Sequence, residues 1–344
     1  MTSATARTRR SARTIWGVAG GVVLVAVGVT VSLAFGSRVV SIAEIGEGLR
    51  AFVSGDTAQE IGAIAVAERI PRTALSVIAG AALALSGGVM QAITRNPIAD
   101  PGILGVNTGA ALFVVCGMAF FGMSSVFSYL GLALAGGALA AVVVYLVGSV
   151  GAGGATPIKL ALAGAAVTAS LSSLVSAVLL PRAAAMNEFR FWQVGGTGGA
   201  DWSSIAIVAP LIVVAAIVVF CLASGMNSLA LGDDVARGLG VHVGRTRALA
   251  AAAGVVLCAA VTAVAGPIAF VGLMVPHAVR LVVGPDQRAI LPISALGGAA
   301  LLTIADTIGR VIGSPGEIEA GIITAFVGAP VLVAIARRTR MRAL

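Results

Sequence analysis

Few side chains in this sequence could do chemistry, and those that could are isolated from one another. The residue types that most often bind metals occur five times, far apart: Cys116, Cys221, His242, Cys258 and His277. Their spacings match no metal-binding pattern. The single lysine, Lys159, lacks the preceding glycines and the following hydroxyl of a phosphate-binding P-loop. We therefore expect no catalytic residue, metal or cofactor in this chain, and a membrane enzyme is the least favoured interpretation.

Asp306 is the only acidic residue near the interior of an apolar run, where a carboxylate could relay protons in an ion-driven carrier. Arg310 follows four residues later, at a spacing that pairs opposite charges on a helix. Two interpretations follow: a secondary transporter that works through Asp306, or a local ion pair near a helix end. We favour the ion pair, because Arg310 would neutralise the carboxylate.

The elements that must position these residues are membrane-spanning helices. Of the 344 residues, 58% are apolar and 10% are charged, and the mean hydropathy is +1.05. Soluble domains carry about 25% charged residues, so this surface could not remain in water, and a disordered chain would be more polar still. The apolar runs are long and unbroken, unlike the alternating pattern of a β-barrel. The sequence predicts an all-α integral membrane protein.

Charge-free runs indicate how often the chain crosses the membrane, because a spanning helix needs about 20 apolar residues. The runs are 15–35, 73–94, 101–158, 160–181, 202–232, 248–279, 289–305 and 320–336. The third run has room for two spans. The sixth is interrupted at Gly266-Pro267, which predicts one span, a break and a shorter tilted or re-entrant helix. The first is too long for the core of a signal peptide, so we expect a retained span. The total is nine or ten.

Arginines flank both ends of the chain without any acidic residue, and such cationic flanks stay in the cytoplasm. Both termini are therefore expected inside, which requires an even number of spans and favours about ten. On this topology 15 cations lie inside and 7 outside. We expect a cytoplasmic basic tail at 1–14, one transmembrane domain at 15–338 with a cytoplasmic loop at 225–247, and a second tail at 339–344. The net charge of +8 then reflects orientation, and we expect no nucleic-acid partner.

A pair of arginines is expected on the outer face, just outside the second span, in the segment Arg69-Ile70-Pro71-Arg72. Arginine often anchors a helix at the membrane surface. These two cations, however, lie on the side that cations usually avoid. Their position therefore favours a partner that carries carboxylates.

A short helix is expected in the longest cytoplasmic connection, within Leu231–Val241. Asp233 or Asp234 could cap its first turn, and Gly240 could end it. Its apolar residues would share one face: Val235, Ala236 and Leu239. Because the polar face is mainly acidic, docking against another subunit is favoured over binding to anionic lipid.

Several segments, taken in order, resemble the permease family of iron-siderophore, haem and cobalamin ABC importers, the FecCD type. They are Arg69–Arg72, Gly80–Gln91, Arg95–Pro101, Leu231–Gly240, Gly266–Arg280, Leu291-Pro292, Ala305-Asp306 and Gly328–Pro330. The resemblance extends from about Arg69 to Arg338, and the ordered set is more specific than any one motif. It implies a type II ABC importer permease of ten helices in the plasma membrane of a bacterium.

The resemblance also implies partners. These are a second permease subunit, two ATP-binding subunits that would hold ATP and Mg²⁺, and an extracytoplasmic substrate-binding protein. Membrane lipid would surround the assembly. The substrate would enter the cytoplasm by alternating access, driven by ATP hydrolysis on the partner chains. We expect a ferric siderophore as the substrate, with haem or cobalamin as alternatives.

Individual residues acquire roles from the same resemblance. Docking of the binding protein is implied for Arg69, Arg72 and Arg310. Coupling to the ATP-binding subunit is implied for Leu231, Gly232, Asp233, Asp234, Ala236, Arg237, Leu239 and Gly240. Thr156 and Pro157 match the inner gate. Gly164, Thr168, Gly321 and Thr324 are expected to line the pathway, although helix packing explains small residues there equally well.

The sequence departs from the family pattern at two positions. Gln287 stands where many members have histidine, in a loop where the change should be harmless. Glu319 stands where members often have proline, and it adds a carboxylate at the outer mouth of the last helix. A carboxylate there would disfavour a strongly anionic substrate, unless it simply faces water.

Overall fold

The computed structural model describes residues 2–55, 60–123, 125–151 and 157–341, and all the regular structure in these ranges is helical. A single-turn 3₁₀ helix covers Pro101–Leu104. The α-helices are α1 (Thr2–Ala34), α2 (Ile42–Ser54), α3 (Ile61–Thr94), α4 (Val106–Phe121), α5 (Val126–Ser149), α6 (Pro157–Leu179), α7 (Ala183–Val194), α8 (Trp202–Leu229), α9 (Asp233–Gly238), α10 (Val243–Ala265), α11 (Val271–Val283), α12 (Gln287–Ile312) and α13 (Ala320–Met341).

The helices confirm a multi-pass membrane protein. Within the described ranges, seven helices are long and apolar enough to cross a membrane: α1, α3, α5, α6, α8, α10 and α12. Three shorter apolar helices are α4, α11 and the first part of α13. The total of ten crossings and the cytoplasmic placement of both termini stay predictions.

The predicted interruption of the long apolar run is confirmed. Helix α10 ends at Ala265, and Gly266 follows with φ of 67°. A Cβ at Gly266 would lie 2.0 Å from the carbonyl oxygen of Trp192, so only glycine fits between this turn and α7. Helix α11 begins at Val271, after Phe270 in the left-handed region with φ of 69°.

Helix α3 forms the centre of the bundle and packs against α2, α8, α10, α11 and α12. The backbones approach closely where glycines meet, as is usual for helices in membranes. A Cβ at Gly80 would lie 2.2 Å from the carbonyl oxygen of Gly298 on α12. A Cβ at Gly87 would lie 1.9 Å from the carbonyl oxygen of Gly272 on α11. These contacts hold α3 directly against its neighbours.

We expect Gly87→Ala to destabilise the protein by about 1–3 kcal/mol, because the new methyl group overlaps backbone atoms that cannot move aside. The matched control is Gly131→Ala on α5, where a Cβ would have no neighbouring atom within 4 Å. Alanine there should be neutral or slightly stabilising. Thermal unfolding of the detergent-purified chain measures both effects. Equal melting temperatures for the two variants would contradict the packing described.

Candidate functional site

The predicted pair of surface arginines lies inside a helix instead. Helix α3 begins at Ile61, so Arg69 and Arg72 occupy its third and fourth turns, on either side of Pro71. Their exposed fractions are 8% each, and that of Arg310 is 3%. Both arginines are therefore buried within the chain rather than exposed on its surface, and their position relative to the membrane stays a prediction. A charge-free run does not reveal the beginning of a helix whose charges pair with distant parts of the chain.

Asp306 forms ion pairs with two of these arginines. It is fully buried, and its Oδ1 accepts hydrogen bonds of 2.9 Å from Arg72 Nε and from Thr197 Oγ1. Its Oδ2 accepts a 3.1 Å hydrogen bond from Arg310 Nε. The i,i+4 ion pair that the sequence favoured is confirmed. Arg72 was not anticipated as a partner, because it lies 234 residues away in the chain.

Arg69 and Arg310 also bind groups at the carboxyl-terminal end of α1 and just after it. Arg69 donates to the carbonyl oxygens of Leu33 and Arg38, at 2.8 and 2.7 Å. Arg310 donates to the carbonyl of Phe35 at 3.1 Å and to the hydroxyl of Ser32 at 2.7 Å. The last carbonyls of a helix lack intrahelical donors, so cations are favourable there.

We use the name arginine cluster for Arg69, Arg72, Asp306, Arg310 and Glu317. Glu317 precedes α13, and its Oε2 lies 2.6 Å from Arg72 Nη1. Its side chain is 42% exposed, far more than that of Arg72 at 10% or Asp306 at 1%. The cluster thus joins α1, α3, α12 and the start of α13 into one unit. A docking role for its arginines stays a prediction.

Glu319 lies beside the arginine cluster and is half-buried. A Cβ at Gly196 would lie 1.6 Å from its Oε2, so the carboxyl group packs directly against this glycine. Burial raises the pKa of Glu319, and the positive charge of Arg72 opposes that rise.

The predicted short helix exists at the opposite end of the bundle as α9. The capping expectation is wrong: Gly232 occupies the N-cap with φ of 112°, and neither Asp233 nor Asp234 caps the helix. Gly240 ends the segment with φ of 81°, as expected. Ala236 does not share the predicted apolar face with Val235 and Leu239, because its side chain is fully buried against the bundle.

The exposed face of α9 is nevertheless apolar. Leu231, Val235 and Leu239 are 63%, 51% and 61% exposed, spaced four residues apart. The acidic side chains lie beside this face. Asp234 pairs with Arg237, at 2.6 Å, within the same helix. Leu231 and Leu239 flank α9 and Val235 lies within it, so three exposed large apolar side chains share one side of this short segment, which is typical of a protein contact.

Asp233 connects α9 to two long helices. Its carboxylate accepts two hydrogen bonds of 2.9 Å from Arg247 on α10 and a further, shorter one from Arg95 after α3. We call Arg95, Asp233 and Arg247 the α9 junction. Burial alone would raise the pKa of Asp233, but the hydrogen bonds and charges of Arg247 and Arg95 lower it overall.

The structure describes five of the six residues predicted for the gate and the pathway, and it gives a packing role to two of them. Thr156 lies outside the described residues, and Pro157 is the first residue of α6. A Cβ at Gly164 would lie 1.8 Å from the carbonyl oxygen of Ile103, and Gly321 donates its N–H to the carbonyl of Gly195 at 2.9 Å. Thr168 is half-buried, and Thr324 is buried. Packing within the chain thus accounts for Gly164 and Gly321, and their pathway role stays a prediction.

Sequence reasoning missed a small, hydroxyl-rich face on α6. Ser170, Ser173 and Ser176 are exposed, and each donates to the carbonyl oxygen four residues earlier, at 2.9, 2.9 and 3.0 Å. The spacing of serines by three is the signal that could have revealed this face. By contrast, the exposed face of α8 carries large apolar side chains such as Val213, Ile217 and Phe220.

Among the described residues, no group of three His, Cys, Asp or Glu could hold a metal.

The chain is similar to known transport proteins along almost its whole length. A model of the FecCD transport family matches residues 24–338. The chain is 41% identical over 321 residues to the ferric enterobactin transport system permease protein FepD of Escherichia coli (strain K12), covering 93% of this chain and 95% of that protein. It is also 41% identical over 277 residues to the cobalamin import system permease protein BtuC of Halobacterium salinarum (80% and 74% covered). A solved metal-chelate type ABC transporter, in an inward-facing conformation, matches with a TM-score of 0.80 and 26% identity over 94% of this chain and 99% of that one.

Proposed function

Because the chain belongs to the FecCD transport family, we propose that it carries ferric siderophores across a bacterial plasma membrane as one permease subunit of an ATP-binding-cassette importer. The observation that carries the proposal is its similarity to a ferric enterobactin permease along nearly the full length of both chains. Members of the family are membrane permease subunits, not enzymes, so ATP would be hydrolysed on partner chains. A cobalamin importer is the second candidate, because a cobalamin permease is equally identical, over a shorter stretch.

The geometry of Asp306 argues against an ion-driven carrier. A proton relay must take up and release protons, which requires a carboxylate whose charge is not already balanced. Asp306 is fully buried and held by two guanidinium groups and a hydroxyl. This arrangement supports an energy source outside the chain.

The exposed face of α6 supports a second permease subunit. Lipid-facing helices usually present large apolar side chains, as α8 does. Ser170, Ser173 and Ser176 instead present hydroxyl groups, which suit a water-filled pathway or a close helix contact. In our proposal α6 faces its counterpart across the substrate pathway, with the gate near Thr156 and Pro157.

The arginine cluster is our proposed contact for the binding protein. Arg69 and Arg310 are occupied by backbone carbonyls, so Arg72 is the member best placed to change partner. Its Nη1 binds Glu317, the most exposed acid of the cluster. A carboxylate of the binding protein would replace Glu317 at that position. Arg72 need not be exposed for this exchange, because displacement of the Glu317 side chain would open its Nη1 to the incoming carboxylate.

The exposed apolar face of α9 is our proposed contact for the ATP-binding subunit. Its residues are Leu231, Val235 and Leu239. Closure of the ATP-binding subunits would then move α9 and bias the permease between inward-open and outward-open states, since a partner shifts such an equilibrium only through differential contacts. The other predicted coupling residues surround this face, and two of them, Asp233 and Ala236, connect the helix to the bundle.

Uptake into proteoliposomes tests the proposed function. The permease, reconstituted with its co-expressed ATP-binding subunit and binding protein, should import radiolabelled iron supplied as ferric enterobactin, ferric citrate or a ferric hydroxamate. Uptake should require ATP and should not respond to a proton gradient alone. ATP-dependent uptake of cobalamin or haem, without any ferric siderophore, would support those alternatives. Uptake driven by a proton gradient without ATP would contradict the proposal entirely.

A further inference from the structure

The carboxylate of Asp233 is shared by guanidinium groups from two different helices. Arg247 binds it with both terminal nitrogens, from Nη1 to Oδ2 and from Nη2 to Oδ1, each at 2.9 Å. This bidentate geometry fixes direction as well as distance. Arg95 donates to the same Oδ1 from the end of α3. Asp233 therefore links α9 to α3 and α10 at once.

The backbone at Arg95 indicates that its side chain is needed. Arg95 follows α3 as its C-cap in the left-handed conformation, with φ of 52° and ψ of 31°. Glycine is the usual residue in this position, and a residue with a Cβ costs about 1 kcal/mol there. The sequence has arginine nevertheless, and its guanidinium binds Asp233. The ion pair compensates for a backbone preference that favours glycine.

Few other polar contacts connect α9 to the bundle among the described residues. The helix is flanked by Gly232 and Gly240, with φ of 112° and 81°, and a Cβ at either would meet no atom within 4 Å. Both flanks can therefore change direction at little cost. Among the residues that the structure describes, the second acid, Asp234, pairs within α9, and its side chain is 98% exposed. In the described part of the chain, the α9 junction and the packing of Ala236 fix the position of α9 relative to α3 and α10.

We propose that Asp233 is a positioning residue that transmits movement of α9 to α3 and α10 through its ion pairs with Arg95 and Arg247. The proposal rests on the proposed function, in which a partner ATP-binding subunit moves α9. Helix α3 reaches from Arg95 to the arginine cluster at the other end of the bundle, so one continuous helix joins both candidate contacts. A displacement at Asp233 would thus be carried towards Arg72 along a single helix.

The test is the number of ATP molecules hydrolysed per substrate imported, measured on the complete reconstituted transporter with whichever ferric complex the wild type imports. Asp233→Asn keeps the shape of the side chain and removes its charge. We expect ATP hydrolysis to persist while uptake falls, so that the ratio rises by about tenfold or more. Arg95→Gly should raise the ratio similarly while leaving the melting temperature unchanged or higher, because glycine suits the left-handed backbone.

Glu60→Gln is the control, and its ratio should stay within about twofold of the wild type, because Glu60 is exposed before α3, at the end of the bundle away from α9, and lies outside the α9 junction. Asp233→Glu, which restores the carboxylate, should recover at least part of the coupling. An unchanged ratio in Asp233→Asn would overturn the proposal, as would a parallel loss of hydrolysis and uptake, since that indicates a damaged docking surface. Failure of the wild type to import any ferric complex would instead contradict the proposed function.

Discussion

Replacing Leu239 with glutamate should weaken binding of the ATP-binding subunit by about 100-fold or more. Leu239 is 61% exposed at the end of α9, in line with Leu231 and Val235. Burying one such side chain in an interface contributes about 1.5–3 kcal/mol, and a buried unpaired carboxylate adds a further penalty. Fold stability should change little, because most of the Leu239 side chain is exposed in the permease itself. Co-purification of the co-expressed ATP-binding subunit with the tagged permease measures the effect.

The control for this experiment is Val53→Glu on α2. Val53 is 84% exposed and lies at the opposite end of the bundle, so the same chemical change should leave binding of the ATP-binding subunit intact. Equal co-purification with the Leu239→Glu and Val53→Glu variants would show that α9 is not the contact.

Asp306→Asn should destabilise the fold by about 3–5 kcal/mol, the usual result of removing one partner from a buried ion pair. The amide retains hydrogen-bonding atoms but leaves Arg72 and Arg310 with Glu317 as the one carboxylate of the cluster. Most of the loss comes from uncompensated positive charge on the buried guanidinium groups of Arg72 and Arg310. Chemical or thermal unfolding in detergent measures the change.

Two further variants separate charge from hydrogen bonding at this position. The double variant Asp306→Asn with Arg310→Gln restores the balance of charge, so it should recover part of the lost stability. Asp234→Asn removes an exposed carboxylate and should change stability by less than about 0.5 kcal/mol. A fully stable Asp306→Asn variant would refute the role of the carboxylate as the neutralising centre of the cluster, and would reopen the ion-carrier hypothesis.

Much of the fold could be predicted from local patterns. Long runs without charge require membrane helices wherever they occur, because an isolated backbone in lipid must satisfy its own hydrogen bonds. The break at Gly266-Pro267 and the short helix ended by Gly240 follow from backbone preferences that act over a few residues. Charge-free runs do not reveal the amphipathic helix α2, because its sequence contains Glu44, Glu47 and Arg50.

The sequence by itself determined the class of protein, the places where helices break, and the pairing of Asp306 with Arg310, all of which depend on neighbours within one or two helical turns. Only the tertiary structure decided where the charges reside. Arg72 is buried because Asp306 and Glu317 meet it from more than 230 residues away, and Ala236 rather than Leu239 faces the bundle because α8 and α10 cover that side. The cost of burying a charge depends on its partners, and partners distant in sequence are known only after the chain has packed.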